Sequence, residues 1–268
     1  MILRKNLVKV ALSEGRNAIG AFVQMANPEV VEVIGEAGYD FVWIDCEHGS
    51  IYLETAIQMI RAAESFGTSP IVRVPSHDGT FIMRMLDAGA MGIVVPQINT
   101  AEQAADVVAA AKYRISGQGS GRRGACPLIR TAGHQVTDWP KYAQWANDQT
   151  TVWLLVETVE GIENLESILS VDGVDAIVLG AFDLSVSMGY EGDRLHPDVV
   201  AVLDGQIEKA RAHGVDVVGM LFSPEAAGMR AAQEVYVRQG CRIFVAGPDR
   251  RILSNSFNEI YRTVAKPF

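Results

Sequence analysis

Cations and cysteines are scarce in this sequence. Its 268 residues hold 23 Lys and Arg against 32 Asp and Glu, a formal net charge of -9, with a pI near 5.1. Lys and Arg are too few and too scattered to form a basic stripe, which disfavours nucleic acid or an anionic membrane as partner and leaves a small molecule as the expected ligand. The three cysteines, Cys46, Cys126 and Cys241, are odd in number and lack C-x-x-C spacing. Neither a disulfide framework nor a thiolate zinc site is expected from them. No run approaches about 18 uninterrupted apolar residues, and the start MILRKNLVKVALSEG lacks an apolar core with a small-residue cleavage site. The expectation is a cytoplasmic protein. None of the six lysines falls on a strand-like segment, which disfavours Schiff-base chemistry, since that needs a desolvated amine pointing inward.

What is present is a series of short apolar runs separated by helical stretches. They are AIGAFVQ (Ala18 to Gln24), FVWID (Phe41 to Asp45), PIVRV (Pro70 to Val74), GIVVP (Gly92 to Pro96), VWLLVET (Val152 to Thr158), AIVLG (Ala176 to Gly180), VVGML (Val217 to Leu221) and RIFVAG (Arg242 to Gly247). Strands apolar on both faces belong to a parallel sheet covered by helices. Eight such βα units in one chain of this size predict an α/β fold, a closed (β/α)8 TIM barrel forming a single domain over residues 1–268, with an additional C-terminal helix from Arg251 to Val264. Asn27-Pro28 and Ser223-Pro224 read as helix starts, and Thr100-x-x-Gln103 as a capping box. The one irregular region, Arg114 to Val136, is long enough for a lid or an interface. Its GSGRRG (Gly119 to Gly124) matches a dinucleotide fingerprint but follows a helical stretch instead of a strand, so that reading lacks its required context.

In such a barrel the active site lies at the C-terminal strand ends. There the sequence offers Gln24, then Asp45 with Glu47 and His48, then Arg73, Gln97, Glu157 and Asp183 just past Gly180. Glu157 and Asp183 come from neighbouring strand ends, and two carboxylates with other positions left to water and substrate describe a hard cation, Mg²⁺ or Mn²⁺. The bland alternative makes each a helix-start residue. Arg73 inside a strand pattern offers its planar fork to a carboxylate or a developing oxyanion, or else only ties down Asp45 or Glu47. His48 is a candidate general base. His77, His134, His196 and His213 lack acidic company of that kind.

WIDCEHG, PIVRVP, MLDAGAMGIVVPQINTAEQA, LLVETVEGIENLESILSVDGVDAIVLGAFDLSVSMGY and HPDV together resemble the HpcH/HpaI family of metal-dependent, class II pyruvate aldolases, over nearly the whole chain. The resemblance implies a carbon-carbon lyase that makes or cleaves 4-hydroxy-2-oxo acids from a 2-oxo acid and an aldehyde. It implies Glu157 and Asp183 holding Mg²⁺, Mn²⁺ or Co²⁺, Arg73 stabilising the pyruvate enolate, and His48 handling the proton. It further implies a carboxylate site on the backbone of the turn holding Gly180, Phe182 and Asp183. Asp87 is implied as a partner of His48, yet it ends a helix at the other end of the barrel. It either acts across a subunit contact of a homo-oligomer, trimer or hexamer, or is a helix-end residue with surface pairing.

The sequence departs from the family pattern in ways that bear on the acceptor. Leu155 stands where glutamine is common, Phe182 replaces a small residue beside the carboxylate site, and the glycine loop reads GQGSGRRGACP. Arg123, or its neighbour Arg122, is a candidate for an acidic acceptor, and Leu221 at the seventh strand end is a further candidate. Two other enzyme readings use the same enolate, a CoA-ester lyase and an oxaloacetate decarboxylase. A noncatalytic barrel scaffold is the reading from another class.

Overall fold

The structure is a computed structural model and describes residues 3–116 and 119–265. Gly117 and Gln118 of the altered glycine loop, and Lys266, lie outside the described residues. Eight parallel strands close into a barrel in chain order, each hydrogen-bonded to the next and β1 to β8. They are β1 (Ala18–Val23), β2 (Phe41–Asp45), β3 (Ser69–Arg73), β4 (Gly92–Val95), β5 (Thr151–Val156), β6 (Ala176–Leu179), β7 (Asp216–Leu221) and β8 (Ile243–Ala246). All eight expected strands are there, displaced by one or two residues at most.

The helices are α1 (Leu7–Ser13), α2 (Pro28–Glu36), α3 (Leu53–Ser65), α4 (Gly79–Ala88), α5 (Ala101–Ala111), α6 (Trp139–Gln149), α7 (Val159–Glu163), α8 (Leu165–Leu169), α9 (Ala181–Ser187), α10 (Pro197–Ala212), α11 (Ala226–Arg238) and α12 (Asp249–Val264). Asn27 caps α2 by accepting from the Glu29 N–H, and the Thr100–Gln103 capping box of α5 is complete in both directions. The expected start of α11 at Ser223-Pro224 is corrected. The helix begins at Ala226, because the Ser223 hydroxyl is used in a local turn, accepting from the Glu225 N–H at 3.4 Å. Among its described residues, the irregular segment between α5 and α6 holds a single 3₁₀ turn at Arg130–Ala132 and an isolated bridge at Ile115.

Strand alternation divides the core. One set of side chains fills the barrel, including Phe41, Trp43, Ile71, Val94, Trp153 and Val178, while the other set packs outward against the helices. Phe41 and Trp153 meet edge to face at 5.4 Å, and Trp43 and Trp153 at 6.0 Å. At the N-terminal end of the barrel α1 contributes Val8 and Ala11 to the interior set, held there by Asn6, whose amide donates to Met91 O and Gln149 O. That end is filled, so the polar strand ends gather at the opposite one.

Candidate active site

The turn after β2 is organised by Asp45, which has no solvent exposure. Its carboxylate accepts from Arg73 Nε at 2.8 Å and Nη2 at 2.7 Å, from Gln24 Nε2 at 2.9 Å, and from the Glu47 and His48 N–H groups at 3.0 and 3.2 Å. The strand register makes this possible, because Asp45 and Arg73 are the terminal residues of β2 and β3 and lie directly opposite each other. A buried carboxylate is tolerated only when paired and hydrogen-bonded, and this one is both. Burial pushes the Asp45 carboxyl up, but the bonds and charge of Arg73 outweigh it and the net shift is downward. Gly49 completes the turn, since a Cβ there would lie 2.2 Å from Asp45 O.

Arg73 is held from every side. Beyond Asp45, its Nη1 lies 2.9 Å from Glu47 Oε2, and its guanidinium sits 5.3 Å from the Phe22 ring centroid and 5.9 Å from that of Trp43. The Glu47 oxygen is close enough for an ion pair, but it makes no hydrogen bond of acceptable direction to any protein group. Burial raises the Glu47 pKa, against the opposing pull of Arg73. The His48 side chain is 63% exposed, with Nε2 3.9 Å from Glu47 Oε2.

Glu157 follows β5 and is buried. Its Oε1 accepts the Gln97 N–H at 3.0 Å, and Gln97 presents that N–H from a left-handed conformation, φ 56°, uncommon for a residue other than glycine. Gly180 makes room for the other oxygen, because a Cβ at 180 would lie 2.6 Å from both Glu157 Cβ and Oε2. Burial first, and the charge of Asp183 second, push the Glu157 carboxyl up to about 7. Asp183 lies in the first turn of α9, a helix with Gly180 at its N-cap and no capping side chain.

Asp45, Glu47, Glu157 and Asp183 share one guanidinium, that of Arg73, among the described residues whose charges reach Glu157 and Glu47 most strongly. Asp45 is saturated by its own contacts, so the excess negative charge falls on Glu157 and Asp183. Two oxygen donors with unmatched charge and a glycine cradle fit a hard divalent cation. Among the described residues no three His, Cys, Asp or Glu group as candidate ligands. Glu157, Asp183, Arg73, Leu155, Gly180 and Phe182 border one cavity of about 500 Å³.

Other expected residues lie elsewhere. Asp87, near the end of α4, accepts from Arg123 Nη2 at 2.7 Å, and the Arg123 side chain is 2% exposed and stacked 4.4 Å over the Tyr113 ring. Within one chain, therefore, Asp87 meets Arg123 and not His48, and Arg123 is committed to that pair instead of facing the rim. Leu221 packs outward among Leu165, Ile207 and Phe244, while Met220 and Phe222 on either side of it border the cavity. Residues the sequence reading left without a role are the Gln97 backbone and Asp249. The latter receives the Gln24 and Met25 N–H groups at 3.0 Å each and so fixes the β1 end. Its place immediately after the eighth strand was the available signal.

Comparison with known proteins agrees with this fold. Residues 18–249 match the family model described as HpcH/HpaI aldolase/citrate lyase. The chain belongs to the HpcH/HpaI aldolase/citrate lyase family. It is 34% identical over 253 residues to the 4-hydroxy-2-oxo-heptane-1,7-dioate aldolase of Salmonella dublin, covering 93% of this chain and 91% of that one. Among solved structures it superposes on an HpcH/HpaI aldolase from Desulfitobacterium hafniense with a TM-score of 0.88, at 29% identity and 97% coverage of both chains. It also superposes on the citrate synthase SbnG with a TM-score of 0.82, at 32% identity, over 97% of this chain and 99% of that one. Family membership supports a lyase. Among the described residues no helix is long and apolar enough to cross a membrane.

Proposed function

We propose that this protein is a divalent-metal-dependent aldolase that makes or cleaves 4-hydroxy-2-oxo acids, with pyruvate as the nucleophile and an aldehyde as the acceptor. The observation that carries the reading is the pair Glu157 and Asp183, following consecutive strands and bordering one cavity, where burial and the charge of Asp183 push Glu157 up to about 7 despite the opposing charge of Arg73. A Mg²⁺, Mn²⁺ or Co²⁺ ion bound there would supply Lewis acidity toward the keto and carboxylate oxygens of the 2-oxo acid.

The chain's own groups do the rest. Arg73, locked by Asp45, presents a fixed positive charge to the oxygen that becomes negative as the enolate forms, and a donor set in advance needs no reorganisation during reaction. His48, exposed and beside Glu47, takes the proton from the pyruvate methyl, directly or through water, and returns it in cleavage. In the forming direction the C–H pair becomes the enolate, its carbon bonds to the aldehyde carbon, and the aldehyde oxygen receives a proton. Cleavage is the reverse. The N–H groups at the start of α9 serve the pyruvate carboxylate. Phe182 and Leu155, both bordering the cavity, give the acceptor side an apolar surface.

Pairing of the arginines counts against the CoA-ester lyase reading. That reading needs a basic groove for phosphates in the Arg114 to Arg130 segment, where three of the four arginines are engaged, Arg122 with Asp106, Arg123 with Asp87 and Arg130 with Glu64. A homo-oligomer is part of the proposal, supported by the exposed Phe257, Ile260, Tyr261 and Val264 of α12. The deciding experiment follows loss of pyruvate methyl protons into D₂O with Mn²⁺, before and after EDTA, then turnover with an aldehyde panel. Exchange that survives EDTA, or that survives Glu157→Gln together with Asp183→Asn, overturns the reading.

A further inference from the structure

The ladder of the barrel wall is shortest between β6 and β7. These strands share only two register pairs, Ala176 with Asp216 and Ile177 with Val217, whereas β5 with β6 and β7 with β8 each share four. Past Val217 the two strands have no ladder pairing with each other, although both continue, to Leu179 and to Leu221. Paired strands lie about 4.8 Å apart, so two that cease to pair while still extending toward the rim leave a slot between them.

The cavity described above runs through that slot. Within the barrel it is bordered by Leu155, Val178 and Met220, and beyond the wall by Leu203 and Ile207 of α10 and Ala232 and Tyr236 of α11. It is one space of about 500 Å³ reaching from Glu157 and Asp183 to the trough between these helices. α10 and α11 are tied across the trough by Gln239 Nε2 donating to Asp204 Oδ1 at 2.7 Å. Polar groups on the trough side, Arg194, Asp204 and Gln239, are few, and the remainder is aliphatic or aromatic. Apolar side chains also stand exposed along its approach, Leu195 at 76% and Phe182 at 60%. Between Arg73 at the rim and the exposed Arg194 in the trough, the sides of the path through the wall are Leu155, Val178 and Met220, all apolar.

We propose that the β6–β7 slot is the acceptor subsite, and that it selects uncharged aldehydes with an extended alkyl or aryl tail, which passes through the wall into the α10–α11 trough. This rests on the aldolase reading and names its acceptor class. The occupant follows from continuity, since the trough opens into the same space that holds the two carboxylates. A tail bound there is desolvated on both sides of the wall, so each added methylene contributes transfer energy worth about fourfold in kcat/KM.

The test is a series of linear aldehydes from ethanal to octanal, with pyruvate and Mn²⁺, on the wild-type protein and on Ala232→Trp and Val235→Asp. Ala232 and Val235 both border the trough; Ala232 packs on the core cluster of Ile207, Val217 and Phe244, whereas Val235 is 46% exposed, so Val235→Asp is the variant with little core to disturb and keeps the test decisive where Ala232→Trp fails to fold. The expected result is kcat/KM rising by about fourfold per methylene to a plateau, and an octanal-to-propanal ratio at least tenfold lower in both variants. A flat series, or a ratio unmoved by both variants, overturns the proposal. A trough covered by a second copy of the chain, detected as concentration-dependent protection of α10 and α11 from hydrogen exchange together with a flat series, overturns it as well. Deuterium exchange into pyruvate without any aldehyde is measured alongside. Exchange with a flat series defeats this inference alone, whereas no exchange defeats the aldolase reading beneath it.

Discussion

Arg73 and Asp45 form a two-bond fork in which Nε meets Oδ1 and Nη2 meets Oδ2, at 2.8 and 2.7 Å, with both side chains almost wholly withdrawn from solvent. The pair is positional as well as electrostatic. It fixes the guanidinium plane, and with it the direction of the remaining N–H groups toward the cavity.

Replacing Arg73 by Lys keeps the charge and loses the fork. Lysine offers a point charge on a flexible stem. Pyruvate proton exchange is expected to fall by at least tenfold while the far-UV circular dichroism is unchanged. Asp45→Ala is harsher, since it leaves a buried guanidinium unpaired and costs about 3–5 kcal/mol. Methyl-proton exchange checks the first expectation and urea unfolding midpoints the second, each against wild type.

Gly180→Ala tests the cradle around Glu157. A methyl group would press on Glu157 Cβ and Oε2 at 2.6 Å, forcing the carboxylate away from Asp183. Overpacking of this kind costs about 1–3 kcal/mol. The expected result is at least tenfold weaker Mn²⁺ binding by isothermal calorimetry, with smaller loss of fold stability than of affinity.

Metal should stabilise the folded protein through Glu157 and Asp183. At an ion concentration about 100 times the dissociation constant the gain is about 2.7 kcal/mol. Thermal unfolding with and without Mn²⁺ is expected to show an upward shift that EDTA reverses. The shift should vanish in Glu157→Gln with Asp183→Asn, and its persistence there would remove these residues as ligands.

Lys112 supplies a pH signature away from the site. Its Nζ donates to Asn147 O and Thr150 O, both at 2.7 Å, yet burial pushes its pKa down to about 8 from 10.5. Between those two values the unfolded chain holds more proton than the folded one, so this group adds stability as pH rises through that window. Complete transfer across it is worth on the order of 3 kcal/mol. Lys112→Met should therefore be destabilised relative to wild type by more at pH 10 than at pH 7, measured by urea unfolding at both.

The barrel was legible because a strand covered on both sides carries apolar residues at successive positions, a pattern that Val42 to Ile44 or Val152 to Val156 show without any partner in view. The rim was legible as a set of residue types, but not as a set of bonds. Which carboxylate takes Arg73 depends on the stagger between β2 and β3, and one step of register would have offered a different partner. The same one-residue parity separates Leu221 from Met220 and Phe222, since only alternate side chains of a strand enter the barrel. Arg123 and Asp87 lie 36 positions apart, and no local pattern joins them. The Gln97 N–H was invisible for a different reason, because a main-chain donor in the left-handed region has no side-chain letter to announce it.

The stopper made by α1 sets apart the two ends of the molecule. Val8 and Ala11 seal the base, which has no part in the proposed chemistry, so changes there should tune melting and leave the acid-lined opening free to diversify. Clipping the chain before Ala18 would uncover the floor of the filled barrel, wetting Phe41 and Trp153 from below.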